Sequence, residues 1–142
     1  MTYPFQEALL DTSVVVKWFV PEEDSEKALS LRRAQQDSEL QLYAPEVLLM
    51  ELANALRYTS EFSAGEIAEA LQTPFELNVL LIPFSLEALN SATTLSLEHD
   101  LAVYDAHFLA LAQAMQIPLI TADRKMLSRL SAEVGALSLE SI

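Results

Sequence analysis

The sequence predicts a single α/β domain, residues 1–142, built on a central parallel sheet of about five strands flanked by helices. Three observations predict it. Short apolar runs alternate along the chain with longer stretches of helical periodicity. Hydrophobic residues make up 51% of the chain, which argues against disorder. No linker, repeat or low-complexity stretch divides the 142 residues, a length that one core can serve.

The elements follow in order. The run at 8–10 reads as a first strand ending at Asp11. A helix is predicted over 25–36, where Ala28, Leu29, Leu31 and Arg32 fall in helical register. A short strand at 41–44 leads to Pro45, a good first-turn residue, and a helix from 46 to about 59. Ser63 with Glu66 three residues on is a capping-box pattern and opens a helix over 63–72. A strand at 79–82 is closed by Pro83, and Ser85 caps a helix over 86–97. An Ala- and Leu-rich helix spans 104–115. After Pro118 come a strand at 119–121, a short helix at 124–131 and an edge strand at 136–139.

Composition excludes several chemistries. There is no cysteine, so disulfides, thiolate zinc sites and a cysteine nucleophile are ruled out. Two histidines cannot make a zinc site of several imidazoles. The two glycines, Gly65 and Gly135, leave no phosphate-binding P-loop and no GxGxxG loop. No apolar stretch approaches the ~18 residues of a membrane span. The opening MTYPFQEALLD lacks the basic and apolar regions of a signal peptide. A soluble, cytoplasmic protein with no membrane partner is expected. The net charge of −13, with eight Lys and Arg, opposes nucleic-acid binding. A bound metal that reverses the local sign, or a basic partner protein, would answer that objection.

Four acids carry the chemistry: Asp11 in LLDTSVVVKWF, Glu51 in VLLMELANAL, Asp105 in AVYDAHFLALA and Asp123 in LITADRK. Carboxylates where apolar segments end or turn are expensive unless something positive compensates them. Four such acids suggest one shared site, and hard oxygen ligands suit Mg²⁺ or Mn²⁺. Asp11 and Asp123 fall just past strand ends, where open parallel sheets bind ligands. Glu51 shares an apolar stripe with Leu48, Leu52 and Ala55. Asp105 shares one with Leu101, Phe108, Leu109 and Ala112. Acids on inward helix faces break the binary pattern, and such breaks mark function or a buried pair. Each also has an ordinary reading. Asp123 would cap the following helix, Asp105 would sit in a first turn favoured by the helix dipole, and Glu51 would pair with Arg57. Few basic residues are available to neutralise all four.

Trp18 and Phe19 directly follow an apolar run, so core packing is expected ahead of base stacking. His107 lies about 200° around its helix from Asp105 and reads as a packing or surface residue. His99, in LEHD, is expected in a loop.

Together these motifs resemble the PIN domain, specifically the VapC-like ribonuclease toxins of bacterial and archaeal toxin–antitoxin pairs. DTSVVVKWFVPEE carries Asp-x-Ser and Lys-Trp-Phe, ELANAL supplies the acidic helix, and LAVYDAHFLALAQAMQIPLITADRKM matches Tyr-Asp-Ala-x-Phe-x-Ala-x-Ala followed by Thr-x-Asp. The resemblance covers nearly the whole chain. It implies that Asp11, Glu51, Asp105 and Asp123 are a catalytic acidic quartet. Asp11 and Asp105 would be the principal metal ligands, Asp123 would complete a second position, and Glu51 would act through a bound water. Ser13 and Thr121 match small hydroxyl residues that orient acids or waters, and Asn54 would be a supporting partner. Lys17, Arg124 and Lys125 would hold phosphates beside the pocket, the alternative being solvated surface charges. The activity implied is a Mg²⁺- or Mn²⁺-dependent endoribonuclease acting on RNA phosphodiester bonds. A small antitoxin and a homodimer are implied as well. The stretch at 75–84 is either a dimer face or ordinary core.

Two other classes compete. A phosphotransfer domain of the haloacid-dehalogenase phosphatase type needs Asp-x-Asp after its first strand, where this chain has Ser13. A non-catalytic, receiver-like Mg²⁺-binding module needs paired acids near the first strand and a lysine after the last. The Glu22–Glu23–Asp24 cluster comes too late for that. A PIN fold that has lost activity is opposed by the complete quartet.

Overall fold

The computed structural model describes residues 2–59 and 61–142. In chain order the elements are β1 (Glu7–Leu10), α1 (Thr12–Val15) continued by a 3₁₀ turn at Val16–Trp18, α2 (Ser25–Gln36), β2 (Gln41–Pro45), α3 (Val47–Tyr58), α4 (Ala64–Glu76), β3 (Leu80–Ile82), α5 (Leu86–His99), α6 (Val103–Met115), β4 (Leu119–Thr121), α7 (Arg124–Ser128) and β5 (Ala136–Ser138). Short 3₁₀ turns at Ala132–Val134 and Leu139–Ser141 flank β5.

The five strands form one sheet in the order β3-β2-β1-β4-β5, and every neighbouring pair is parallel. Leu9 pairs with Tyr43 on one side and Leu119 on the other, which makes β1 central. Ala8, Leu9 and Leu10 are fully buried, as expected for a parallel strand covered on both faces. The chain runs outward from β1 through β2 to β3, then returns to lay β4 on the other side of β1. The winding direction therefore reverses between β1 and β4. Their C-terminal ends frame the crevice where sheets of this kind place their chemistry.

The helix α6 buries seven consecutive residues, Ala106 to Ala112, because the sheet covers one side of it and α5 the other. A helix so enclosed holds its first turn, and hence Asp105, in a fixed position. Trp18 is also core: its Nε1–H donates to the Ala28 carbonyl at 2.9 Å, and the Arg32 guanidinium lies 5.8 Å from its ring centre. Phe19 packs against the same core.

The structure departs from the sequence reading at several boundaries. The helix α1 and the 3₁₀ turn after it were not anticipated, since four-residue elements are too short to show a period. The helix α4 runs on through Pro74 to Glu76, not stopping at 72. Pro74 stands in the last turn, where it has no N–H to donate to the Ala70 carbonyl, and both Pro74 and Thr73 are buried. His99 is the last residue of α5, not a loop residue. The chain leaves the helix at the next residue, Asp100, which takes the left-handed conformation at φ 54°. The helix α7 stops at Ser128, short of 131.

Candidate active site

The crevice is organised around Asp11. It follows β1 in an extended conformation, its N–H donates to the Ile120 carbonyl at 3.0 Å, and it is 6% exposed. Its Oδ2 accepts two hydroxyl protons, from Ser13 Oγ at 2.5 Å and from Thr121 Oγ1 at 2.9 Å. Each hydroxyl, having given its proton to Asp11, accepts from the backbone beyond β4. The N–H of Ala122 donates to Ser13 Oγ at 2.9 Å, and the N–H of Asp123 donates to Thr121 Oγ1 at 3.0 Å. Two small side chains thus tie the ends of β1 and β4 together and fix the orientation of one carboxylate.

The other acids arrive from three elements. Glu51 on α3 is partly buried, and its Oε1 accepts from Thr12 Oγ1 at 2.6 Å. Thr12 was missed in the sequence, where a hydroxyl at a helix start looks like any other. The one available signal was its place between Asp11 and Ser13. Asp105 stands in the first turn of α6, partly buried, and its carboxylate makes no hydrogen bond or ion pair among the described residues. Asp123 caps α7, accepting from the Met126 N–H at 3.0 Å. The ordinary readings of Asp105 and Asp123 are therefore met as well. No Glu51–Arg57 ion pair is present among the described residues.

Neighbouring charge links the four acids pairwise. Burial lifts the Asp11 carboxyl above its ordinary value. The Ser13 and Thr121 hydrogen bonds and the Ser13 N–H oppose this, and the charge of Asp123 adds to it. Burial lifts Glu51 too; the Thr12 hydroxyl opposes it, while Asp11 and Asp105 add to it. Asp105 is raised by burial and then by Asp11 and Asp123, with only Arg129 acting against. Arg129 is itself held near Asp100 at 3.8 Å. These are mutually repelling carboxylates with little cationic relief.

Such a donor set fits a hard divalent cation. Among the described residues no three His, Cys, Asp or Glu side chains already stand within reach of one ion.

The remaining residues fall into groups. Asn54, one turn after Glu51, is exposed and makes no side-chain hydrogen bond among the described residues. Lys17 and Arg124 line a cavity of about 340 Å³ with Asp123. Both are engaged by acids. Lys17 Nζ donates to Glu22 Oε1 at 3.2 Å and to the Glu23 carbonyl at 2.7 Å. Arg124 donates to Glu23 Oε1 at 3.0 Å and lies 3.6 Å from Glu140 Oε2. Lys125 is exposed and stands apart from that cavity. His107 is a packing residue, 2% exposed, stacked on Phe84 with ring centres 5.5 Å apart. Neither of its ring nitrogens has a hydrogen-bond partner among the described residues, and burial lowers its pKa.

The chain matches the PIN domain family over residues 8–133. It is 34% identical over 128 residues to Ribonuclease VapC3 of Pyrobaculum aerophilum, a match that covers 89% of this chain and 96% of that one. Among solved structures it is similar to a toxin–antitoxin complex from Klebsiella pneumoniae. The TM-score there is 0.68 at 21% identity, over 93% of this chain and 97% of the other. It is also similar to Mycobacterium tuberculosis VapC20, a sarcin-ricin loop cleaving toxin. In that case the TM-score is 0.70 at 14% identity, over 85% and 93% of the two chains. At these identities the structural likenesses speak for the fold.

Proposed function

The chain belongs to the PIN-domain family, and on that premise we propose that it is a metal-dependent endoribonuclease, the toxin of a type II toxin–antitoxin pair. The observation that carries this reading is the convergence of Asp11, Glu51, Asp105 and Asp123 on the crevice between β1 and β4, each raised acid feeling the charge of others. The sequence relative named as a ribonuclease supports the activity, and a structural neighbour in a toxin–antitoxin complex supports the partner.

Asp11 and Asp105 would hold Mg²⁺ or Mn²⁺, and Asp123 would complete or adjust a second position. When bound, the ion supplies Lewis acidity, acidifying a water and neutralising charge on the scissile phosphate. The protein does the positioning. Ser13 and Thr121 keep Asp11 Oδ2 fixed and favour its ionised form. Thr12 takes Glu51 Oε1, which leaves Oε2 to accept a proton from a water. Lys17 and Arg124, beside Asp123, hold flanking phosphates, and Asn54 lies at the margin. Ser13 stands where a phosphatase would need a second acid, and it is a donor to Asp11 instead. A small antitoxin supplies the basic groups this acidic crevice lacks. A homodimer uses the β3 side of the molecule, where Phe75, Leu80 and Phe84 are 58%, 50% and 52% exposed.

The test is cleavage of a mixed RNA pool by purified protein in Mg²⁺, Mn²⁺ or EDTA, beside Asp11→Asn and Asp105→Asn. Cleavage is expected with either metal, none in EDTA, and only background from variants that still fold. Normal cleavage by either variant, or in EDTA, sinks the assignment.

A further inference from the structure

Glu51 belongs to two surfaces. One is the acidic crevice. The other is an open groove of about 670 Å³, in which Val47, Met50, Asn54 and Arg57 of α3 join Glu51 and face Tyr104 of α6. The mechanism above gives this groove no task. Its apolar groups are unusually bare. Met50 is 75% exposed and Tyr104 66% exposed. At the far end of α3 the Arg57 guanidinium lies 4.5 Å from the ring centre of Tyr58, which is 72% exposed. The groove thus runs from a candidate catalytic acid to Arg57, whose guanidinium stacks on Tyr58 just beyond the lining, with a second exposed tyrosine, Tyr104, next in sequence to Asp105.

Charge narrows the choice of occupant. The chain carries 21 Asp and Glu against eight Lys and Arg, so an RNA strand held through phosphates alone is repelled almost everywhere. Aromatic faces hold bases without regard to net charge, and only unpaired bases offer a free face. A strand whose scissile phosphate sits at the acids has its adjoining nucleotide beside Glu51, at the mouth of this groove.

We propose that the groove is a nucleotide subsite in which an unpaired base flanking the scissile phosphate stacks on Tyr104, and the Arg57–Tyr58 pair receives the next nucleotide. The proposal rests on the ribonuclease reading and names its substrate class as single-stranded or looped RNA. Tyr104 is a substrate-positioning residue, and among the described residues Arg57 is the one cation lining the groove.

The experiment compares wild type, Tyr104→Phe and Tyr104→Ala in two assays. One is steady-state cleavage of single-stranded and fully duplex RNA; the other is fluorescence anisotropy of a labelled single strand in Mg²⁺. Tyr104→Ala is expected to raise KM and the single-strand Kd roughly 10-fold with kcat little changed. Tyr104→Phe is expected to keep wild-type values, and duplex RNA to be cleaved poorly. An unchanged KM and Kd in Tyr104→Ala overturns the subsite. So does a change confined to oligomeric state or to capture of a protein helix, since that assigns the groove to a protein partner. If Tyr104→Ala does not fold by circular dichroism, Tyr58→Ala at the other end reads the same subsite, with the same criteria. Wild type that binds single strands through Tyr104 without cleaving them overturns the nuclease reading and keeps the subsite. Cleavage with a Tyr104-independent KM does the reverse.

Discussion

At the scale of single residues, the acidic crevice is a source of instability that a cation relieves. Asp11, Glu51 and Asp105 are all raised in the folded chain, burial being the largest cause in each. A raised carboxyl binds its proton more tightly folded than unfolded. Its destabilising effect is therefore absent well below the unfolded value of about 4, and it grows as pH rises through that value toward the folded one. It stays at full size at neutral pH. Asp105 is the clearest place to test this, because its carboxylate has no hydrogen bond to lose among the described residues. In EDTA at pH 7, Asp105→Asn is expected to melt at a higher Tm than wild type. The gain should vanish near pH 3. Mg²⁺ should raise the wild-type Tm and leave the variant nearly unmoved. A lower Tm for the variant in EDTA would show that repulsion is not what burial and neighbouring charge produce there. Glu51 and Asp105 stand out in the sequence because each breaks an apolar helix face, and Asp11 because it closes an apolar run. Thr12 does not, because its hydrogen bond to Glu51 spans 39 positions and joins two helices that only the fold brings together.

At the scale of elements, the starts of α4 and α5 are local chemistry, while the end of α4 is decided by packing. Ser63 accepts from the Glu66 N–H at 3.1 Å, and the Ser63 N–H donates to Glu66 Oε1 at 2.9 Å, the full capping box that two residue types three apart announce. Ser85 likewise accepts from the Ala88 N–H at 3.1 Å. The far end of α4 was misjudged for a physical reason. A residue before proline is pushed away from helical angles, yet Thr73 and Pro74 are held in the helix by burial, and Thr73 donates to the Glu69 carbonyl. Since α4 packs on α3, which carries Glu51, its cap supports the site only through stability. Ser63→Ala is expected to cost about 1 kcal/mol in urea unfolding. RNA cleavage at 25 °C should be unaltered in rate and metal dependence. A loss of cleavage by a fully folded variant would mean that α4 governs the position of Glu51 directly.

At the scale of the whole molecule, strand and helix alternation announced a parallel α/β sheet, while the order β3-β2-β1-β4-β5 was beyond reach because strand neighbours are set by long-range pairing. That order is what brings Asp11 and Asp123 together, and it also decides where the few cations can act. Lys17 and Arg124 flank the crevice but are occupied by Glu22, Glu23 and Glu140. The Arg124 pairs are exposed and therefore weak, so a phosphate can displace them against the repulsion of the acids, whereas the Lys17 side chain is only 11% exposed. The salt dependence of RNA binding should then be shallow. With Lys17, Arg124 and Arg57 as contacts, each contributing a slope of about −0.7, log affinity should fall with log salt at no more than about −2. Glu23 sits at the centre of this arrangement, its side chain on Arg124 and its carbonyl on Lys17. Glu23→Gln removes one repelling charge and loosens Arg124 without touching the backbone contact. It is expected to raise kcat/KM on RNA roughly 2- to 5-fold at 50 mM salt, and to match wild type at 500 mM, where screening acts within about one ion-pair distance. A slope far steeper than −2, or a Glu23→Gln effect that survives high salt, would place the phosphate contacts on other cations of the chain and free this cavity from any part in holding RNA.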